Sequence, residues 1–269
     1  AIANKESIIC GWSLIKKELV RNKTKFIPID SEHFSIFKLI QDKNKNELKK
    51  VIITASGGPF LKKKINNKIK ITDALKHPNW KMGKKITIDS STLMNKVFEV
   101  IEAKKIFNLN LNKIDILINP NSYLHAIVIF KNGTIKMLAH ESDMSIPIFN
   151  SIYDNYNLVS YGTKNLDLNK INNLNLSKPN IKKFNSLKVL KKIPKKDSLF
   201  ETVLISVNDE LVNMFLNNEI IYKNISFYLN KIINFKIFKK YCKVKPISIN
   251  QIYNLRDIVR QTVREYVKE

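Results

Sequence analysis

The sequence contains few of the residues that mark several common protein classes. Its 269 residues include only two cysteines, Cys10 and Cys242, which form neither a disulfide framework nor a CxxC zinc site. No apolar run approaches the roughly 20 residues that span a bilayer. Residues 1–4 have no basic segment followed by an apolar one, so we do not expect a signal peptide. A reducing compartment is therefore the simpler expectation.

Acidic residues and glycines are also scarce. The chain has 23 Asp and Glu against 47 Lys and Arg, and its formal net charge is +24. Such a charge suggests nucleic acid or an acidic surface as partner. The lysines, however, are spread along the whole chain without a basic run and interleaved aromatics. We therefore predict that the charge is diffuse, and a basic nucleic-acid-binding module is a poorly supported alternative.

The scarcity of glycine also bears on nucleotide binding. The six glycines form no G-x-G-x-x-G after a strand, the turn that cradles a dinucleotide pyrophosphate. The sequence also has no initiator methionine, so we expect either a fragment or a chain that has lost a leading segment.

Apolar periodicity predicts a mixed protein. With 44% hydrophobic residues the chain can form one large or two modest domains. We predict an α/β or α+β domain up to about residue 160, a linker over 161–185, and a C-terminal helical bundle over 186–269. The predicted strands are 26–30, 50–54, 85–89, 114–118, 124–130 and 134–139. The predicted helices before the linker are 8–20, 34–40 and one that buries Leu93, Val97 and Ile101.

Two carboxylates flank a serine where the apolar run 26–29 ends. If this segment is a strand, Asp30 and Glu32 point the same way and repel each other unless a cation or proton lies between them. Glu99 lies in a predicted helix with Asn95 and Lys96. Two acids on a strand end and one on a helix could form an oxygen-rich site for Mg²⁺ or Mn²⁺. The alternative is a solvated turn, with Glu99 serving only as the ion-pair partner of Lys96.

Several separate segments carry residues suited to an anion. Ser56 precedes two glycines after a predicted strand, and Ser90 lies beside Asp89 at a predicted helix N-terminus. His77 and Lys96 could add further contacts. Trp80, in a loop bounded by proline and glycine, indicates either a contact surface or a core tryptophan. Alone, each feature also fits a tight turn, a helix cap or an exposed side chain.

Taken in order, these motifs resemble 1-deoxy-D-xylulose 5-phosphate reductoisomerase, a family of the non-mevalonate isoprenoid pathway. The resemblance covers residues 1 to about 150 closely. The matching stretches are residues 3–7 (ANKES), 29–33 (IDSEH), 56–60 (SGGPF), 77–83 (HPNWKMG), 89–96 (DSSTLMNK), Glu99, 101–103 (IEA), 143–144 (DM) and 147–148 (PI).

The resemblance implies roles for individual residues. Asp30, Glu32 and Glu99 would bind the metal, and Ser31 and Lys96 would contact the hydroxyl end of the substrate. The residues expected to hold the substrate phosphate are Ser56, His77, Ser90 and Asn95, with Lys96 close by. The expected lid residues are Trp80 and Met82, and those near the cofactor are Lys5, Glu6 and Gly83. Catalysis would depend on the three acids and Lys96.

The resemblance also implies a reaction and partners. The family converts a phosphorylated sugar, 1-deoxy-D-xylulose 5-phosphate, to 2-C-methyl-D-erythritol 4-phosphate with Mg²⁺ or Mn²⁺ and NADPH. We expect a homodimer with no membrane or nucleic-acid partner, in a bacterial cytoplasm or, alternatively, a plastid. Residues 1–25 would be a remnant of the NADPH-binding domain and 26–160 the catalytic domain.

This sequence departs from the family pattern at three places. A complete dinucleotide-binding domain would precede residue 1 in the family. Asn119 stands where the family usually has histidine, and residues 205–209 replace an Asn-Ala-Ala-Asn-Glu segment. The rival hypothesis is therefore a truncated or decayed, non-catalytic relative that keeps a metal- and phosphate-binding fold.

Overall fold

A computed structural model describes residues 1–41, 47–153, 162 and 166–269. The first helix, α1 (Lys5–Arg21), begins where the Asn4 side chain accepts a hydrogen bond from the Ser7 amide. Its apolar face buries Ile8 and Trp12, as the helical period over 8–20 predicts.

Four strands form one mixed sheet in the order β2-β1-β3-β4, so the predicted α/β or α+β class is confirmed. The strands are β1 (Leu48–Ala55), β2 (Ile114–Ile118), β3 (Leu124–Phe130) and β4 (Ile135–Ala139). β1 pairs in parallel with β2 and antiparallel with β3, which in turn pairs antiparallel with β4. The predicted turn at Asn132 and Gly133 joins the last two strands, with φ of 87° at the glycine.

Two predicted strands are wrong. Residues 26–30 make only an isolated bridge between Ile2 and Pro28, because Pro28 has no N–H for a ladder. Residues 85–89 lie in a helix, α4 (Lys84–Thr92). Isoleucines at 86 and 88 alternate as in a strand, but residues 87–92 are buried consecutively, and the Thr87 amide donates to the carbonyl of Gly83 in a helical bond. The backbone groups of this segment are therefore satisfied within a helix.

Two further helices carry Glu32 and Glu99. Helix α2 (Ser31–Ile40) begins directly after Asp30. Helix α5 (Met94–Ile106) follows α4 after a single left-handed residue, Leu93, with φ of 60°. This break redirects the chain, so that α4 and α5 are separate helices in contact with each other.

The C-terminal part is helical, as predicted. Its elements are α8 (Phe200–Leu216), α9 (Tyr222–Ile232), α10 (Lys236–Lys239), α11 (Ile249–Lys268) and 3-10 turns at Asn185–Lys192 and Lys240–Lys243. The predicted stripe on α8 is buried throughout. On α11, Leu255, Val259 and Val263 are buried, but Ile249 and Ile258 are exposed.

Three short helices, α3 (Ile71–Ala74), α6 (Ser145–Ile152) and α7 (Leu168–Asn172), and a 3-10 turn at Leu111–Lys113 complete the described chain. The last lies within the stretch predicted as a linker, where Ser177 also bridges to Ile118 at the end of β2. The predicted domain boundary at residue 160 lies outside the described residues. No helix among the described residues is long and apolar enough to cross a membrane.

The core consists of two apolar clusters. The larger joins α1, α4, α5, α8, α9 and α11, and the smaller lies between the sheet, α2 and α5. Helix α5 contributes to both, with Ile101 in the larger and Val100 in the smaller. The first turns of α1, α2 and α5 and the carboxyl end of β1 supply residues to a single cavity, described next.

Candidate active site

Three carboxylates meet at the N-terminal ends of two helices. Asp30 is the residue before α2, Glu32 lies in its first turn, and Glu99 lies in the second turn of α5. One carboxylate oxygen from each lies within 4.8 Å of the others. The sequence reasoning placed the first two on a strand; their proximity instead comes from the start of a helix. The cluster of three acids is nevertheless the one predicted.

Two lysines lie among these acids. Lys5 Nζ is 3.0 Å from Asp30 Oδ2 and 3.5 Å from Glu99 Oε1. Lys96 Nζ is 2.7 Å from Glu32 Oε1 and also bonds to Glu99. Each ammonium therefore bridges two carboxylates, and none of these five side chains is more than 14% exposed. Within this group of five side chains, two ammonium ions face three carboxylates, and the imidazolium of His33, described below, contacts Asp30 from outside the group.

The balance of these charges appears in the pKa values. Burial, with the neighbouring carboxylates Glu32 and Asp30, outweighs the two lysines and raises the pKa of Glu99 to about 7. Burial also raises the pKa of Asp30, but Lys5 and His33 outweigh it and hold that pKa well below its ordinary value. For Glu32, Lys96 outweighs burial and lowers the pKa. Glu99 is thus the acid of the three that most needs another cation or a proton.

The side-chain amide of Asn95 and the hydroxyl of Ser31 form hydrogen bonds with the acids. Asn95 accepts a hydrogen bond from Lys5 Nζ at 2.6 Å and donates one to Glu99 Oε1 at 2.5 Å. Ser31 donates to Glu32 Oε2 at 2.6 Å. Both residues line the cavity, but Asn95 is engaged with the acids and not with the residues predicted to hold phosphate.

His33 and Glu102 form a second buried pair behind the three acids, and sequence reasoning assigned no role to it. His33 Nδ1 lies 3.2 Å from Asp30 Oδ1 and 3.8 Å from Glu102 Oε2, and its Nε2 donates to the carbonyl of Glu99 at 2.9 Å. Burial lowers the pKa of His33, but Glu102 and Asp30 outweigh it and raise the pKa to about 9. The imidazolium thus orients Asp30. Both residues stood in the matched stretches, but only the fold shows that they are fully buried and in contact.

Ser56 and His77 form the other side of the site. His77 Nδ1 accepts hydrogen bonds from the amides of Asn79 and Trp80, at 3.2 and 2.9 Å. The proton of the neutral ring is therefore on Nε2, which lies 3.1 Å from Ser56 Oγ. Burial and Lys96 lower the pKa of His77 to about 4, so it is a neutral donor. A hydroxyl and an imidazole N–H suit phosphate oxygens.

Gly58, two residues after Ser56, packs directly against the backbone of Ser90 and Ser91. A Cβ at Gly58 would be 2.9 Å from the carbonyl oxygen of Ser90 and 3.0 Å from Ser91 Cα. Its φ of 63° is also one that glycine adopts easily. Ser90 itself lies in the last turn of α4 and not at a helix N-terminus, so the predicted helix-dipole contribution at this residue is wrong.

One cavity of about 230 Å³ collects nearly all the predicted residues. The predicted site residues that line it are Lys5, Asp30, Ser31, Glu32, Ser56, His77, Trp80, Met82, Ser90, Asn95, Lys96 and Glu99. Two predicted cofactor residues, Glu6 and Gly83, are not among its lining residues. The structure adds Ile86, Leu93 and Met144 to the lining, which sequence reasoning did not select.

Glu6 takes part in a separate ionic group. Lys85 Nζ lies 2.7 Å from Glu6, 3.0 Å from Asp89 and 3.1 Å from Asp209. Burial raises the pKa of Asp209 to about 6. This group joins α1, α4 and α8, so Asp89 bonds within the helical core and does not face the cavity as an anion site.

The carboxylates of Asp30, Glu32 and Glu99 suit a divalent metal ion. The described residues do not form a complete dinucleotide-binding site. Three carboxylates in contact, one of them with a raised pKa, match the oxygen ligands that Mg²⁺ and Mn²⁺ prefer. A pyrophosphate needs clustered backbone amides at a helix N-terminus after a glycine-rich turn. Among the described residues Gly57 and Gly58 follow β1, but they lead into irregular chain and not into a helix.

Comparison with known proteins agrees with this geometry. Residues 26–107 match the family described as "1-deoxy-D-xylulose 5-phosphate reductoisomerase C-terminal domain", and residues 140–262 match "DXP reductoisomerase C-terminal domain". The chain is 57% identical over 262 residues to the 1-deoxy-D-xylulose 5-phosphate reductoisomerase of Pelagibacter ubique (strain HTCC1062), covering 96% of this chain and 67% of the relative. The corresponding protein of Sulfurihydrogenibium sp. (strain YO3AOP1) is 39% identical over 279 residues, covering 100% and 70%.

Solved structures show the same similarity. A DOX-P reductoisomerase in complex with NADPH, fosmidomycin and magnesium aligns with a TM-score of 0.89 and 29% identity, over 99% of this chain and 69% of that one. The reductoisomerase of Zymomonas mobilis in complex with NADPH aligns with a TM-score of 0.88 and 28% identity, over 100% and 69%. The chain therefore spans about two thirds of the length of these relatives.

Proposed function

This chain belongs to the 1-deoxy-D-xylulose 5-phosphate reductoisomerase family, and we propose that it carries the metal- and substrate-binding part of that activity. The observation that carries the proposal is the single cavity in which three acids lie on one side and Ser56, His77 and Ser90 on the other. A substrate with oxygen atoms at one end and a phosphate at the other matches these two sides.

The acidic side is proposed to bind one Mg²⁺ or Mn²⁺ through Asp30, Glu32 and Glu99. Buried carboxylates that are not fully compensated by lysines favour an added cation. When bound, such a cation would polarise adjacent carbonyl and hydroxyl oxygens. Ser31, bonded to Glu32, and Lys96, between Glu32 and Glu99, are proposed to contact the hydroxyl end of the substrate.

The opposite side is proposed to hold the phosphate. Its support is the fixed Nε2–H of His77 beside the Ser56 hydroxyl, with the backbone of Ser90 packed against Gly58. Lys96, whose charge is favoured by Glu32 and Glu99 despite burial, adds an electrostatic attraction for an anion in the same cavity. Asn95 is proposed to turn toward the phosphate from its present bonds, and Trp80 and Met82 to close over the site as a lid that excludes water.

The reaction itself is proposed to require NADPH. Lys5 and Glu6 are proposed to lie beside the cofactor together with Gly83, while the pyrophosphate cradle must come from residues outside those present here. The substrate is proposed to be 1-deoxy-D-xylulose 5-phosphate, which the names of the relatives contain. The enzyme is proposed to be a homodimer in the cytoplasm of a bacterium.

The binding proposal is tested by calorimetric titration of this chain with fosmidomycin in the presence of Mg²⁺. We expect one site, and a loss of affinity of about tenfold in Ser56→Ala because a hydrogen bond to a charged group is removed. Ser226→Ala, on the distant helix α9, is the matched control. Equal affinities of the two variants would contradict the proposed phosphate side.

Turnover is tested separately by NADPH oxidation with the sugar phosphate and Mg²⁺. The chain alone should oxidise little or no NADPH, and fusion of a complete dinucleotide-binding domain before residue 1 should restore oxidation. Robust turnover by residues 1–269 alone would show that the cofactor binds elsewhere. Binding of fosmidomycin without turnover by the fusion would instead support a decayed, non-catalytic relative. Sedimentation of the chain tests the proposed homodimer.

A further inference from the structure

Two histidines outside the cavity stack on each other. His125 lies at the start of β3 and His140 directly after β4, and the antiparallel register of these strands brings them together. Their ring centroids are 3.8 Å apart and the planes differ by 14°. Both rings are at least nine-tenths buried. We call these two side chains the histidine stack.

Backbone carbonyls hold both rings in one orientation. His125 Nε2 donates to the carbonyl of His140 at 3.1 Å, and His140 Nδ1 donates to the carbonyl of Glu141 at 2.7 Å. Because a carbonyl only accepts, these contacts fix the position of the proton on each ring. Phe34 packs edge-on against His140 at 6.2 Å. These contacts define the orientation of both rings in the histidine stack.

Trp80 of the proposed lid contacts this surface. Its ring centroid is 6.2 Å from that of His125, with the planes 75° apart, a favourable edge-to-face geometry. Next to it, Asn79 donates to the carbonyl of Pro120 at 2.7 Å and to Ser122 Oγ at 2.8 Å. The lid segment is thus attached by one amide side chain and by one aromatic contact.

We propose that His125, supported by His140, is a positioning residue that holds Trp80 over the cavity. The inference rests on the proposed function for the role of the lid. Trp80 lines the cavity, whereas His125 lies behind it and is not among the lining residues. His125 therefore acts on a bound ligand only through the indole.

The charge state of the stack is consistent with this role. Burial and the neighbouring His140, with a smaller contribution from Lys96, lower the pKa of His125 to about 4, although Glu32 acts to raise it. Burial also lowers the pKa of His140, and this effect outweighs the acids Glu32, Glu141 and Asp143, which act to raise it. The indole thus packs on a neutral ring.

Two substitutions of His125 distinguish the effect of its ring from the effect of its hydrogen bond. His125→Gln keeps an N–H for the carbonyl of His140 but removes the ring, and His125→Phe keeps a ring but removes the N–H. In a Trp12→Phe background, Trp80 is the only tryptophan, and its fluorescence can be excited selectively over that of the tyrosines. We expect acrylamide quenching of ligand-free Trp80 to increase at least about twofold in His125→Gln and to stay near the parent value in His125→Phe. Quenching that increases in the Phe variant and not in the Gln variant would overturn the proposal.

A second measurement links the contact to binding. By calorimetry with fosmidomycin and Mg²⁺, His125→Gln should bind about two- to tenfold more weakly than the parent, the range for one aromatic contact, and His125→Phe nearly as well. Tyr253→Ala, an exposed aromatic on α11, is the control for general effects. If the parent itself binds no fosmidomycin, the proposed function fails, while the quenching comparison still decides the role of His125.

Discussion

The pH dependence of metal binding follows directly from the charges around Glu99. Its pKa is raised to about 7, chiefly by burial and by Glu32, while those of Asp30 and Glu32 are lowered. A metal ligand must be deprotonated, so between pH 6 and pH 8 protons compete with the cation at Glu99 and not at the other two acids.

The size of the effect can be worked out from that pKa. At pH 6, about one molecule in eleven has Glu99 ionised, whereas at pH 8 about nine in ten do, so the apparent affinity should differ by about tenfold, or ~1.4 kcal/mol. Affinity rises with pH through this range and levels off above it. At pH 7 each bound cation should release about half a proton.

Titration with Mn²⁺, followed by calorimetry in buffers of different ionisation enthalpy, measures both quantities. Glu99→Gln keeps the shape of the side chain and removes the titrating group. Its affinity at pH 8 should be at least about tenfold lower, and both the pH dependence and the proton release should disappear. Glu219→Gln, at an exposed position, is the matched control.

The reasoning would be refuted by a flat affinity between pH 6 and pH 8 in the parent. It would also be refuted if Glu99→Gln bound Mn²⁺ as tightly as the parent, since Glu99 would then be only the buried partner of Lys5 and Lys96.

Three further outcomes are expected. Gly58→Ala should lower the free energy of unfolding by about 1–3 kcal/mol more than Gly133→Ala, because both have positive φ but only Gly58 lies against Ser90; equal urea midpoints would show that the close approach is unimportant. Ser198→Ala should cost about 1–2 kcal/mol in urea unfolding, because the Ser198 hydroxyl donates to buried Glu201 at 2.6 Å and accepts from the amide of Phe200; Ser226→Ala should cost less. Binding to duplex DNA at physiological salt should be no tighter than the non-specific range of about 10⁻⁴–10⁻⁶ M, and tight sequence-dependent binding would show that the lysines form a true interface.

Much of the chemistry could be predicted from the sequence because it depends on residue types and their order. Asp30, Glu32, Glu99 and Lys96 were selected as a charged group, and the structure brings them into contact. The division into a mixed sheet domain and a helical C-terminal part also follows from apolar periods, which report burial on one face.

The local structure of two segments could not be predicted in the same way. Alternating apolar residues at 86 and 88 fit a strand, and the apolar run before Asp30 fits one as well. Whether such a segment becomes a strand depends on whether the fold brings a partner strand beside it. Residues 85–89 instead bond within α4, and Pro28 lacks an amide proton, so one segment is helical and the other makes a single bridge.

The sequence by itself determined which side chains carry charge and which faces are apolar, since these are properties of single residues and their spacing. Only the tertiary structure decided how the charges act on one another. The pKa of Glu99, the imidazolium of His33 between two acids, and the stacking of His125 on His140 all depend on burial and on contacts between residues distant in the chain. Electrostatic interactions strengthen when water is excluded, and water is excluded only when separate elements pack together.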